Sequence, residues 1–112
     1  MYLDGSPPQA GFTLSQQIIC VGSCIQFTDI STSQSPIIQW NWTLSGGEAI
    51  GELNPEESTQ QNPEVCYAES GSFWAILAVT NLDGLVGVDS MLITVDPCIG
   101  PIVADFGVSD TV

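Results

Sequence analysis

"IIQWNWTL" (residues 37–44) is the stretch on which the fold turns. Read at a period of two, Ile38, Trp40, Trp42 and Leu44 fall on one face and Gln39, Asn41 and Thr43 on the other, which is the pattern of a half-buried β-strand. Two tryptophans in the apolar register belong to a core, because each ring removes a large apolar area from water. An outward pair would instead form a stacking platform for sugar rings, but the partner residues Ile38 and Leu44 argue against that orientation. Trp40 and Trp42 are therefore assigned to the core.

The same alternation recurs on either side of this stretch. "IQFTDIS" (25–31) places Ile25 and Phe27 on one face, with Asp29 in the same register. "FWAILAVTN" (73–81) and "VGVDSMLITV" (86–95) form two longer runs joined through Asp83-Gly84, a tight-turn signal between apolar segments. The intervening "SGGEAIGELNPEESTQQNPE" (45–64) and "AESGS" (68–72) are rich in turn formers. This rhythm predicts strands near 10–16, 24–30, 37–44, 64–68, 73–81 and 86–95, with a short one near 48–52. The class is all-β, an antiparallel two-sheet sandwich of about seven strands. With Phe73, Ala75, Leu77 and Val79 inward, Trp74 becomes the exposed aromatic and the first candidate contact residue.

At 112 residues, with 44% hydrophobic content and three tryptophans, the chain can bury one real core. No apolar run reaches membrane-spanning length, and "MYLDGSPPQ" has neither the basic start nor the apolar core of a signal peptide. The charge balance is extreme: 13 Asp and Glu, with no Lys, Arg or His. That composition argues against phosphate, nucleic-acid and anionic-membrane binding. It also removes side-chain salt bridges, so carboxylates must be compensated by backbone NH groups, counterions or bound cations, and stability should depend on salt. Trypsin-like proteases find no basic residue to cut.

The same deficit empties the catalytic inventory. No His or Lys activates a Ser, Thr or Cys, and no Arg clamps an oxyanion, so no enzymatic site is expected. A carboxylate pair can run a glycosidase, but no acidic pair stands out. Calcium is the cofactor to weigh against none: oxygen ligands abound, yet no EF-hand spacing exists. Weak candidates are Glu48 with Glu52, Glu56 with Glu57, and the set Asp4, Asp96 and Asp105. Cys20, Cys24, Cys66 and Cys98 read as two disulfides of an exported domain. Zinc is the alternative, weakened because Cys66 and Cys98 form no second close pair. "NWT" at Asn41 fits the N-glycan sequon, though within a strand.

The series "ICVG" (19–22), "IQFTDIST" (25–32), "SPIIQWNWTLSGG" (35–47), "QNPEVCY" (61–67), "GSF" (71–73), "LAVTNLDG" (77–84) and "LITV" (92–95) resembles the PKD (polycystic kidney disease) repeat. That family is an immunoglobulin-like β-sandwich of extracellular multidomain proteins, and the resemblance covers about residues 9–96. The family's central motif runs Trp, polar, Phe, Gly, Asp, Gly; here it stands as Trp40, Asn41, Trp42, Thr43, Leu44, Ser45, Gly46, Gly47, without the acidic turn residue. This variant is similar to repeats of large bacterial surface proteins secreted by the type IX route.

The resemblance implies several residue assignments. The sandwich topology gathers the cysteines at one pole, so Cys20 should pair with Cys98 and Cys24 with Cys66. Phe27 and Tyr67 join Trp40 and Trp42 in the core. "DSM" at Ser90 and "DTV" at Thr111 resemble bacterial O-glycan acceptors. The implied location is extracellular or cell-surface.

"ADFGVSDTV" (104–112) repeats the start of the chain: aligned on Ala10 and Ala104, Phe12 matches Phe106, Leu14 matches Val108 and Ser15 matches Ser109. The offset is that of one small β domain. The organisation is thus a linker (1–8), a sandwich (9–96), a second linker (97–103), and the first strand of a following repeat or a donated strand (104–112). The expected function is a non-catalytic structural or adhesion repeat of a larger surface protein. Its partners are neighbouring repeats or subunits reached through the terminal strand, and glycans or surface proteins. The alternatives are a carbohydrate-binding module, for which Trp74 and Tyr67 would form an exposed aromatic face, and a strand-exchanging filament subunit.

Overall fold

The computed structural model describes residues 6–98. Nine strands run in chain order: β1 (Phe12–Leu14), β2 (Ile18–Cys20), β3 (Cys24–Asp29), β4 (Ile37–Leu44), β5 (Glu48–Ala49), β6 (Glu57–Ser58), β7 (Glu64–Cys66), β8 (Gly71–Asn81) and β9 (Val86–Asp96). They form two sheets, one of order β1-β3-β7-β5 and one of order β2-β9-β8-β4-β6. The two sheets face each other as an immunoglobulin-like sandwich, the architecture the alternating pattern predicts.

Inward residues of both sheets make one core. Ile25, Phe27, Val65, Trp42, Leu44, Ala75, Leu77, Val79, Ile93 and Val95 are buried, and Tyr67 closes one end. Trp42 is the hub: Phe12 and Phe27 approach it edge-on, with ring centroids 4.9 and 5.2 Å away. Its Nε1 donates to the Gln60 carbonyl at 2.8 Å, which satisfies the indole's polar handle without exposing the ring. Trp40 is partly buried and packs against the same cluster.

Three features depart from the sequence expectation. Ile38 points outward and is exposed, because the register of β4 against β8 shifts between Ile37 and Gln39. This bulge brings Ile37 rather than Ile38 against the core and leaves the phase of Trp40, Trp42 and Leu44 unchanged. Second, the strand expected over 10–16 is shorter and the chain then changes sheet: β1 pairs antiparallel with β3, and β2 pairs parallel with β9, Ile18 opposite Thr94. Gln17 anchors the switch, its Nε2 donating to Leu92 O and its carbonyl accepting from Thr94 N. Third, β6 forms inside the turn-rich stretch, held to Trp42 and Thr43 of β4.

Candidate functional site

The strands deliver chemistry to two poles and one open face. At one pole β2 ends, β3 begins, β7 ends and β9 ends. There Cys20 is bonded to Cys98 and Cys24 to Cys66. Backbone bonds stitch the same pole: Val21 N donates to Asp96 O, Gly22 N to Tyr67 O, and Tyr67 N to Ser23 O. Cys98 adopts a left-handed backbone, φ 52°, and its N–H donates to Asp96 Oδ1 at 2.9 Å.

Tyr67 lies directly beneath this pole. It is fully buried, stacked on Phe73 at 5.7 Å, and Gly47 presses on its ring, where a Cβ would sit 3.2 Å from the ring carbons. Tyr67 thus lies in the core, and the exposed Trp74–Tyr67 face that the carbohydrate-binding alternative requires is not formed, because Tyr67 follows β7 inward. Its hydroxyl has no protein hydrogen-bond partner, and burial pushes its pKa from 10.0 to about 12. The unfolded phenol ionises first, so the folded state loses stability as pH rises from about 10 towards 12. In Tyr67→Phe the steep alkaline fall of the denaturation midpoint should be reduced, while stability at neutral pH is kept or raised, since no bond is broken. An identical alkaline profile in both proteins would refute the role given to Tyr67.

The opposite pole is organised by Asn81, which is fully buried at the end of β8. Its Nδ2 donates to Ser6 O and Ser33 Oγ, and its Oδ1 accepts from Asp83 N and Leu85 N. One side chain thus fixes the N-terminal segment, the β3–β4 loop and the β8–β9 turn. Gly87 completes the pole, because any Cβ there would collide with the Pro8 carbonyl. Residues 6–8, assigned to a linker from sequence, lie against the sandwich at this end.

Several of the described carboxylates accept from the chain's own donors. Asp29 accepts from Ser31 N and Gln61 Nε2, Glu56 from Gly46 N, and Asp83 from Ser35 Oγ. Glu52 accepts from Gln60 Nε2 and Ser58 Oγ at 2.8 Å each, and these bonds hold its carboxyl below the ordinary value. Of the calcium candidates, Asp4 and Asp105 lie outside the described residues. Asp96 caps Cys98, and among the described residues no three carboxylate or thiol side chains converge to hold a metal.

The remaining candidates occupy the outer face of the five-stranded sheet. Trp74 stands there, 52% exposed and opposite Leu92. Asn41 and Ser90 are exposed on the same face, opposite Ala78 and Ile76, within strands rather than loops. Thr111 lies outside the described residues. The sequence reading did not place a run of exposed aliphatic residues on this face. Val86, Val88, Leu92 and Ile18 are all exposed on it. The signal was present in "VGVDSMLITV", where both parities of the strand carry apolar residues.

Comparison with known proteins supports the fold. No protein-family model and no curated protein matches the sequence. Among solved structures, the chain is similar to the PKD1 domain of Vibrio anguillarum Epp, with TM-score 0.66, 19% identity, and 83% of this chain and 98% of that one covered. It is also similar to the PKD1 domain of the Vibrio cholerae metalloprotease PrtV, with TM-score 0.63, 25% identity, and 81% and 99% covered. A third likeness is to carbohydrate-binding modules of the β-sandwich superfamily, with TM-score 0.71, 22% identity, and 88% and 38% covered.

Proposed function

From the premise of a PKD-like bacterial β-sandwich, we propose that this chain is a non-catalytic extracellular module, a spacer with contact surfaces within a larger surface or secreted protein. The observation that carries the reading is the placement of its two ends. Residues 6–9 sit at the Asn81 pole and Cys98 at the disulfide pole, separated by the length of β9. At about 3.3 Å per residue those eleven residues span about 36 Å, so modules joined through these ends line up rather than fold back. Partners in this reading are neighbouring repeats or subunits reached through residues 104–112, which lie outside the described residues. Paired cysteines and bacterial fold neighbours are consistent with an extracellular location.

Tension along such an array meets the Cys20–Cys98 bond. Force arriving at residues 6–20 crosses directly to Cys98, and the 78-residue separation between the two cysteines is bypassed. Stretching the oxidised chain from its termini should release only the short segment before Cys20. After reduction the released contour length should rise by about 280 Å, at about 3.6 Å per residue. Equal release under both conditions would refute a tension-bearing role for the bond.

A sugar-binding reading has one specific support, the exposed Trp74 on a domain whose fold is similar to that of a carbohydrate-binding structure. It requires that this face be free to stack on sugar rings.

A further inference from the structure

The outer face of the five-stranded sheet carries an apolar stripe along β2, β9 and β8 with no carboxylate in its middle. Its outward positions run Val86, Val88 and Leu92 on β9, Trp74 and Ile76 on β8, and reach Ile18 on β2 opposite Thr94. Val88 is 64% and Ile18 68% exposed. The polar outward positions around them, Gln39, Asn41 and Thr43 on β4, Ser72 and Thr80 on β8, and Ser90 and Thr94 on β9, are all uncharged. Glu57 on β6 and Asp96 at the pole mark its rim, opposite Thr43 and Cys20.

Two arguments identify what covers it. A chain of net charge −13 with no cation would recruit a basic partner through carboxylates, yet the middle of this face holds none. The occupant must therefore be equally flat, apolar and uncharged, and a second copy of the same face meets that description. The second argument is area. β8 and β9 at about 36 Å and β4 at about 26 Å, spaced about 4.8 Å apart, give about 470 Å² per copy, about 950 Å² in total. That is near the lower bound of a specific contact and suits weak association that becomes effective where modules are held close together.

We propose that this face is a homotypic docking surface, on which two copies pack outer sheet to outer sheet about a two-fold axis with Trp74 near its centre. Aligned sheets cross at about −30°, which lets the diagonal stripe of apolar residues meet its own symmetry mate. Because each copy carries the same acidic rim and loops, the contact tightens as salt screens the repulsion. This goes beyond the spacer reading, and it stands or falls independently of the array's mechanics.

The test is sedimentation velocity of the oxidised 112-residue chain across protein concentration at about 0.05 and about 1 M sodium chloride. Expected is a reversible monomer–dimer equilibrium that tightens about tenfold or more at the higher salt. Val88→Asp and, separately, Trp74→Ser should weaken it by at least about tenfold while circular dichroism and the melting transition show the fold retained. Either variant failing to fold is replaced by Leu92→Thr, read in the same way. Three results would overturn the proposal: a monomer throughout, association indifferent to these substitutions, or association that weakens with salt. Retention of a monomeric wild type on a neutral insoluble polysaccharide, lost in Trp74→Ser, would also overturn it in favour of a sugar platform.

Discussion

Reduction of both disulfides should unfold most of the domain at low salt and neutral pH. Closing loops with sequence separations of 78 and 42 residues restricts the unfolded chain by about 4 kcal/mol each, and by less together because the second loop is nested in the first. A domain of this size has only about 5–15 kcal/mol in total. This one also carries 13 carboxylates with no internal cation. Losing the cross-links therefore removes most of the margin. Added salt should restore part of it by screening the carboxylates, an effect far smaller in the oxidised protein. Tryptophan fluorescence during reductant titration at two salt concentrations measures both effects. A midpoint unmoved by reduction would show that packing alone sustains the fold.

Trp42→Ala should cost about 4 kcal/mol, the range for deleting a large buried aromatic. The indole touches Phe12 and Phe27 across the sheets, and its removal opens a cavity where the two sheets are pinned together. It also strips the Gln60 carbonyl of its donor, loosening the loop that carries β6. Trp42→Phe should recover part of the packing but not that bond. Trp74→Ala, on the outer face of the neighbouring strand, should shift stability of the isolated domain by no more than about 0.5 kcal/mol. Denaturant midpoints at constant slope separate the three. Equal losses at Trp42 and Trp74 would contradict the inward and outward assignment.

What could be read in advance follows from what alternation encodes. The long strands β4, β8 and β9 announce themselves because each carries a run of alternate residues that faces a common core. Trp74 could be placed outside for the same reason, as the neighbour of inward Phe73 and Ala75. The bulge at Ile38 was illegible, since two isoleucines in succession satisfy either phase. β2 was hidden because its three residues pair in parallel with β9, a contact set by the far end of the chain. β6 is specified by hydrogen bonds to β4 and not by its own side chains, so its sequence reads as a turn. At Gly87 the inward position carries no side chain because the Pro8 carbonyl occupies that space, which is a tertiary fact. That inward gap also helped conceal how apolar the outward positions of β9 are.

In the exported module proposed above, the bond between Cys20 and Cys98 has a further meaning for resistance to proteases. The chain's absence of basic residues already denies trypsin-like proteases a site. For the others, a single cleavage anywhere from residue 21 to 97 opens a loop without dividing the molecule, because everything before Cys20 stays covalently joined to everything after Cys98. Cutting the domain does not detach what lies beyond it. Shedding would require either a second event outside the loop or a reductant, so the molecule's continuity is decided by one sulfur–sulfur bond rather than by the intactness of its sandwich.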